Sequence, residues 1–391
     1  MPDMIYLDNA STSFPKPGVV YDYMCEFYRT HGVNPGRAGY NLSVEVEEVV
    51  SGTRKMLMDL FGGTAVDHLT FSYNASDSLN MIIQGLAERG DHVVTTNIEH
   101  NSVLRPLWHL KRDGVIDVTC VPFGEGGYLD PEDISAAIRR NTKMVVVNHA
   151  SNVVGTVQPV AEIGGICRQA GVYLVVDASQ TAGTHDIDVG KMGIDLLAFT
   201  GHKCLLGPTG IGGSYIGDDV AVRGTRYGGT GECSEDPFHP EEFPHRMECG
   251  TLNIVGVAGL RAGLEWLYEQ GTGSVYAEEM RLWKKLRDAL EAMENVTLYC
   301  ADSPRNHIAV LSFNVEGWEA GDVGTILDRD YSIACRTGLH CAPLVHKQLG
   351  TDKAGGTVRL SIGPFNTEAH IDLAIEAVGA IAATRRPAAR I

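Results

Sequence analysis

The chain has 391 residues, 44% of them hydrophobic and 21% charged, with a net charge of −17, a make-up that suits a soluble globular protein with one large domain and a smaller companion. So much negative charge argues against nucleic acid or an anionic membrane as the main partner. No apolar run approaches the roughly 20 residues of a membrane span, Met1-Pro2-Asp3-Met4 lacks the basic and apolar regions of a leader, and the nine cysteines are scattered without a C-x-x-C pair, which suits a reducing, cytoplasmic compartment.

In chain order, residues 5–11 read as a short extended segment running into a Ser/Thr/Pro turn, where Pro15 and Pro17 prevent early helix growth. Apolar spacing at Val46, Val49, Val50, Leu57, Leu60 and Phe61 predicts a helix over 43–61, stopped by Gly62 and Gly63. The turned loop before it, 34–40, carries Arg37 and Tyr40. Strands at 69–73, 92–96, 115–122, 144–148, 172–176 and 196–199 then alternate with helices at 76–87, 103–113, 131–139 and 160–170. Asp130 caps the third of these helices, and Asp133 lies in its first turn. Repeated units of this length predict an α/β fold, a mostly parallel sheet with helices on both faces.

The Gly207-Pro208-Thr209-Gly210 turn leads into a strand at 211–216 that should run antiparallel to its neighbour. Beyond residue 253 the pattern changes to helices at 254–270, 274–293, 320–328 and 367–382, strands at 296–300, 309–313 and 357–361, and a loop over 335–343. This predicts a smaller α+β domain, with 18–255 forming the large domain and 1–17 with 256–391 the small one.

Two apolar runs end in chemistry. Asp177-Ala178-Ser179-Gln180 follows one and Thr200-Gly201-His202-Lys203 the other, where open α/β sheets present their ligand-binding groups. Lys203 has the setting of an imine-forming lysine, Asp177 could pair with a protonated pyridine nitrogen, and Gln180 could bond a ring oxygen. Thr200, His202 and Ser76, in the helix-opening Asn74-Ala75-Ser76, could hold a phosphate. These are the requirements of pyridoxal 5′-phosphate. His100 could stack on a cofactor face and move protons, and Asn152 could reach ring or substrate. Arg359 alternates with apolar residues and needs an anion, either a substrate carboxylate or an acid of the protein. Cys341 lies near Arg336 and His340, which would favour a thiolate. Cys335, His340 and Cys341 match no standard zinc pattern, so no metal is expected.

These residues resemble the class V aminotransferase family. The resemblance is carried by Tyr6-Leu7-Asp8-Asn9-Ala10, Glu99-His100-Asn101-Ser102, Asp177-Ala178-Ser179-Gln180, Thr200-Gly201-His202-Lys203, Gly250-Thr251-Leu252-Asn253 and Arg336-Thr337-Gly338-Leu339-His340-Cys341-Ala342-Pro343. Within that family they are most similar to group II cysteine desulfurases and selenocysteine lyases. The resemblance implies the fold-type I arrangement of pyridoxal-phosphate transferases, with a mostly parallel seven-stranded sheet, in a homodimer. It implies Lys203 as the Schiff-base lysine, Asp177 at the pyridine nitrogen, His100 on the ring, and Ala75, Ser76, Thr200 and His202 near the phosphate with Thr251 of a second copy. Asn9, Ala10, Arg37, Asn152, Arg336 and Arg359 would meet the amino-acid substrate, and Cys341 would accept sulfur.

The expected reaction converts L-cysteine to L-alanine and leaves a persulfide for a sulfur-acceptor protein. L-selenocysteine cleavage, another class V lyase reaction and transamination are the alternatives. Tyr40 and Ala75 stand where family members often carry histidine and threonine.

Overall fold

The structure is a computed structural model that describes residues 4–36, 39–300, 302–303 and 306–384. Aliphatic runs form a seven-stranded sheet in the order Leu69–Ser72, Gly212–Ile216, Leu196–Thr200, Tyr173–Asp177, Thr142–Asn148, Asp91–Thr96 and Ile116–Val121. Gly212–Ile216 is antiparallel to both neighbours, as its short connecting turn requires, and the other pairings are parallel.

Alternation along the central strands serves two cores. Val145, Val147, Leu174, Val176, Leu197 and Phe199 face one, while Met144, Val146, Val175, Leu196 and Ala198 face the other. Helices cover both faces, so these strands read as continuous apolar runs. Strand order switches between Asp91–Thr96 and Thr142–Asn148, because the chain visits Ile116–Val121 at the edge before returning. The crevice at such a switch lies beyond the carboxyl ends of the strands. His100 and Asn152 follow those two strands, and Asp177 is in register with Asn148.

A second sheet is antiparallel, in the order Arg336–Gly338, Thr357–Ser361, Val310–Val315 and Val296–Leu298. Helices Thr272–Glu291, Ala320–Tyr331 and Glu368–Ala382 pack on it around Trp283, Leu311, Phe313, Leu360 and Ile371. Trp283 Nε1 donates to the Val310 carbonyl at 2.9 Å, which satisfies its only polar atom inside the core. The N-terminal strand Ile5–Tyr6 runs parallel to Ile333–Ala334, and Ile5 and Leu7 join this core. Helix Ile254–Gln270 sends Val257, Leu260 and Leu264 into the large core instead.

Several elements differ from the sequence reading. Helix Gly18–His31 was not predicted: it starts directly after Pro17 and buries only Val20 and Phe27, too few for a periodic stripe. The expected 335–343 loop contains the strand Arg336–Gly338, which pairs with Thr357–Ser361 and is too short to show alternation. Helix Ala75–Leu86 also begins earlier than expected, because Asn74 rather than Ser76 is its cap, accepting from the Asp77 N–H at 3.0 Å. No helix among the described residues is long and apolar enough to cross a membrane.

The edge strand Leu69–Ser72 is fastened by an ion pair. Arg54 Nη1 donates to Glu248 Oε1 at 2.7 Å and Nη2 to Oε2 at 3.2 Å, while Glu248 Oε1 accepts the Phe71 N–H at 2.6 Å. Arg54 is only 6% exposed, so its removal strands a carboxylate in the interior. Arg54→Met should lower the unfolding free energy by about 3 kcal/mol, measured as a fall in the urea midpoint. An unchanged midpoint would contradict this reading of the pair.

Candidate active site

Lys203 ends the Thr200-Gly201-His202-Lys203 turn after the strand Leu196–Thr200, and the N-terminal segment clamps the peptides around it. The His202 carbonyl accepts from Ser13 N at 3.1 Å, Thr12 Oγ1 at 3.0 Å and Lys16 Nζ at 2.6 Å, and the Lys203 carbonyl accepts from Ser13 Oγ at 3.0 Å. Gly201 permits this tight path, since a Cβ there would lie 3.0 Å from the Ile211 carbonyl oxygen. Burial pushes the Lys203 amine below the usual lysine range, and the Asp177 carboxylate opposes that shift. The amine is therefore biased toward its neutral, nucleophilic form.

Asp177 is 5% exposed, and its Oδ1 accepts from the Ser179 N–H at 2.9 Å and from the Ser179 hydroxyl. Gln180 Nε2 donates to the Ala10 carbonyl at 3.0 Å, joining the strand end to the N-terminal segment. Thr200 Oγ1 and His202 Nδ1 are buried without a partner among the described residues. Two polar atoms kept dry and unpaired on one turn are costly unless something meets them. Burial, followed by the nearby Lys203, pushes His202 down to about 4.

His100 caps the helix Asn101–Arg112. Its Nδ1 accepts from the Ser102 N–H at 3.1 Å and lies 2.8 Å from Ser102 Oγ. The ring proton then resides on Nε2, and burial, followed by Lys203, pushes its pKa down to about 4. Ser102 Oγ also bonds Ser76 Oγ, which brings the first turn of helix Ala75–Leu86 beside His100. Glu99 is fully buried, and burial pushes its carboxyl up to about 8.

The cysteine loop docks on the same strand ends. The Asn101 N–H donates to the Cys341 carbonyl at 2.7 Å, and Asn152 Nδ2 to the His340 carbonyl at 2.7 Å. These bonds hold two left-handed residues, His340 at φ 47° and Cys341 at φ 59°, a conformation that costs roughly 1–2 kcal/mol per residue. The Cys341 side chain is exposed, with Arg336 Nη2 3.6 Å from its sulfur. Arg336 Nη1 and Arg359 Nη2 both donate to Ser11 Oγ at 2.8 Å, and Ser11 Oγ donates to Asp8 Oδ1 at 2.7 Å.

Most expected residues converge: Lys203, Asp177, Gln180, His100, Asn152, Arg336, Arg359, Cys341, Asn9 and Ala10 interlock through these contacts, and Ser76 reaches them through Ser102. Asn9 bonds the Ser361 carbonyl at 3.0 Å, and the Ala10 N–H bonds Ser361 Oγ at 2.9 Å. Ala75 is buried at the helix start. Arg359 already has an anion, because its Nη2 meets Asp8 Oδ1 at 2.7 Å, while its Nε keeps an unused buried N–H. Thr251 stands apart, exposed on a separate cleft of about 1060 Å³ with Arg226 and Glu248. Arg37 lies outside the described residues. Sequence reasoning missed the clamp of Thr12, Ser13 and Lys16, whose only signal was the polar run Ser11-Thr12-Ser13 ahead of Pro15 and Pro17.

The sequence family described as aminotransferase class-V matches residues 5–373. A probable cysteine desulfurase of Methanothermobacter thermautotrophicus is 37% identical over 385 residues, covering 97% of this chain and 95% of that protein. A cysteine desulfurase of Escherichia coli O157:H7 is 30% identical over 380 residues, covering 94% and 91%. Among solved structures, the apo cysteine desulfurase of Thermococcus onnurineus NA1 superposes with a TM-score of 0.91 at 35% identity, covering 97% of this chain and 95% of that one.

Several buried histidines around the site make the cofactor-free protein acid-sensitive. Burial pushes His149 down to about 3 and His185, His202 and His100 to about 4, so each is neutral when folded and readily protonated when unfolded. Their stability contribution is complete above the unfolded value near 6.5 and is lost as pH falls through the folded values. The urea midpoint should therefore drop between about pH 7 and pH 4.5, and His149→Gln should flatten that slope. Equal slopes in the two proteins would contradict the assignment.

Proposed function

The chain belongs to the class-V aminotransferase family and is a cysteine desulfurase, and on that premise we propose that its strand-end turns hold pyridoxal 5′-phosphate while Cys341 takes the sulfur. The observation that carries the reading is the pair of orphaned buried atoms, Thr200 Oγ1 and His202 Nδ1, on the turn that ends at the low-pKa Lys203. The residues fit the cofactor in other respects. Asp177 has one oxygen fixed by Ser179 and the other without a partner among the described residues, as a pyridinium N–H would need. Helix Ala75–Leu86 leaves the Ala75 and Ser76 N–H groups without an acceptor among the described residues, free to meet a phosphate.

When bound, the cofactor supplies an electron sink for charge developing on the substrate α-carbon. Lys203 would hold it and, as a neutral amine, take and return a proton at Nζ. His100 would present Nε2–H, its tautomer held by the Nδ1 cap, to donate to the substrate. Arg359 Nε and Arg336 would bind the substrate carboxylate, with Asn9, Ala10, Asn152 and Arg37 completing its surroundings.

Cys341 sulfur, beside Arg336, attacks the substrate sulfur. An S–S bond forms as the carbon–sulfur bond breaks, and the electron pair leaves with the three-carbon fragment, which gains protons to become alanine. The product on the enzyme is a persulfide, exposed for transfer to an acceptor protein. Thr251, on its separate cleft, would reach the phosphate bound by a second copy in a homodimer.

Cys341→Ser should cut alanine formation from L-cysteine by at least about 100-fold, with cofactor binding unchanged by absorbance. Alanine from L-cysteine at the parent rate in that variant would overturn the role of Cys341. Alanine from L-selenocysteine alone would redefine the substrate.

A further inference from the structure

Cys341 stands in a turn that its own residues do not favour. The Ala342 N–H donates to the Leu339 carbonyl at 2.9 Å, closing a four-residue turn whose central residues, His340 at φ 47° and Cys341 at φ 59°, are both left-handed. Turns with two such central residues are normally built from glycine, asparagine or aspartate. Neither central residue here is one of these, so contacts outside the turn must hold it.

Two of those contacts are on the main chain. Asn152 Nδ2 donates to the His340 carbonyl and the Asn101 N–H to the Cys341 carbonyl, both at 2.7 Å, which fastens the turn to segments of the large sheet. The third contact is a side chain. Leu339 and Cys341 are exposed on either side of His340, whereas His340 itself is 3% exposed. Its Nε2 lies 3.0 Å from Thr357 Oγ1, and Thr357 is fully buried at the start of the strand that carries Arg359. Gly338, two residues before His340, is paired in register with Thr357. The ring therefore turns inward beneath its own loop and ties it to the second sheet. The sequence expectation was that this imidazole would favour a thiolate at Cys341. Buried against Thr357, it is instead held well below the usual histidine range and brings no positive charge to the sulfur at neutral pH. Its Nδ1 has no partner among the described residues, which leaves Thr357 as the hydrogen-bonding contact of the ring.

We propose that His340 is a positioning residue for the sulfur-accepting thiol: its imidazole, bonded to Thr357, holds the left-handed turn that presents Cys341. The inference rests on the reading of Cys341 as the sulfur acceptor. An attacking sulfur must lie in line with the bond it breaks, and a misplacement of about 1 Å can cost on the order of 100-fold in rate. A turn that relaxes to negative φ carries the thiol away with it.

Two substitutions separate the side-chain bond from the backbone conformation. His340→Gln keeps a polar group within reach of Thr357 Oγ1 but does not favour positive φ, whereas His340→Asn favours positive φ and stops short of Thr357. In cofactor-free protein, hydrogen exchange of the amides at 340–342 should be about tenfold faster in His340→Asn, as the loss of one buried hydrogen bond implies, and close to the parent in His340→Gln. With pyridoxal phosphate and L-cysteine, alanine formation should fall about 10- to 100-fold in His340→Asn and be largely kept in His340→Gln. Exchange of the α-proton of L-alanine with heavy water, which makes no use of the thiol, should run at the parent rate in both. Parent-like amide exchange and alanine formation in His340→Asn would overturn the proposal, as would equal losses in the two variants. A matching loss of α-proton exchange would also overturn it, by showing a general disturbance of the site. Cys341→Ser is the reference: alanine at the parent rate in that variant would sink the reading of Cys341, while the amide-exchange comparison would still decide whether His340 holds the turn.

Discussion

Keeping the Lys203 amine out of water beside the Asp177 carboxylate is the constraint on which the site depends. A desolvated ammonium is expensive, and its nearest counter-charge comes from the neighbouring strand end. The sheet must therefore fix two adjacent strand ends precisely in register. It does so with strands buried on both faces, since a one-residue slip would exchange the residues that face the two cores.

The same constraint explains why the smaller sheet and the N-terminus wrap back onto the large one. Ser13, Thr12 and Lys16 donate to the carbonyl before Lys203, which orders the turn without using the amine. Asp8 and Ser11 bring Arg359 and Arg336 to the same place, and Arg336 reaches the sulfur of Cys341. Asn101 and Asn152 then fasten the cysteine loop beyond the ends of strands Asp91–Thr96 and Thr142–Asn148, the first followed by His100 and the second in register with Asp177. The imidazole and thiol thus sit on two segments whose backbones are bonded to each other, while the lysine turn is held by the N-terminal segment that also reaches Arg336 and Arg359. Of the three, the thiol is the group left exposed, as the proposed transfer of its sulfur to an acceptor would need.

Much of this was legible in the sequence because it is local. Residues 172–176 and 196–199 announce buried strands by composition, and the polar residues that end them announce a ligand site. Helix Gly18–His31 was not legible, because its two buried residues leave no stripe. The anion for Arg359 was also hidden: Asp8 lies 351 residues away, so sequence alone could not choose between a substrate carboxylate and a protein acid. The amide of Asn152 meets the His340 carbonyl across 188 residues, so a residue expected at ring or substrate also positions the cysteine loop. The buried acid Glu279 was invisible for a different reason. It follows Glu278 on the amphipathic helix Thr272–Glu291 and looks like part of the solvated face until packing shows it on the buried side.

The account stands or falls on where the sulfur goes. Protein loaded with pyridoxal phosphate can be given one equivalent of L-cysteine, alkylated, and mapped by peptide mass spectrometry across all nine cysteines. The account predicts one additional sulfur on the Cys341 peptide and on no other. Alanine formation with the extra sulfur on Cys204, on Cys335 or on no cysteine would contradict it.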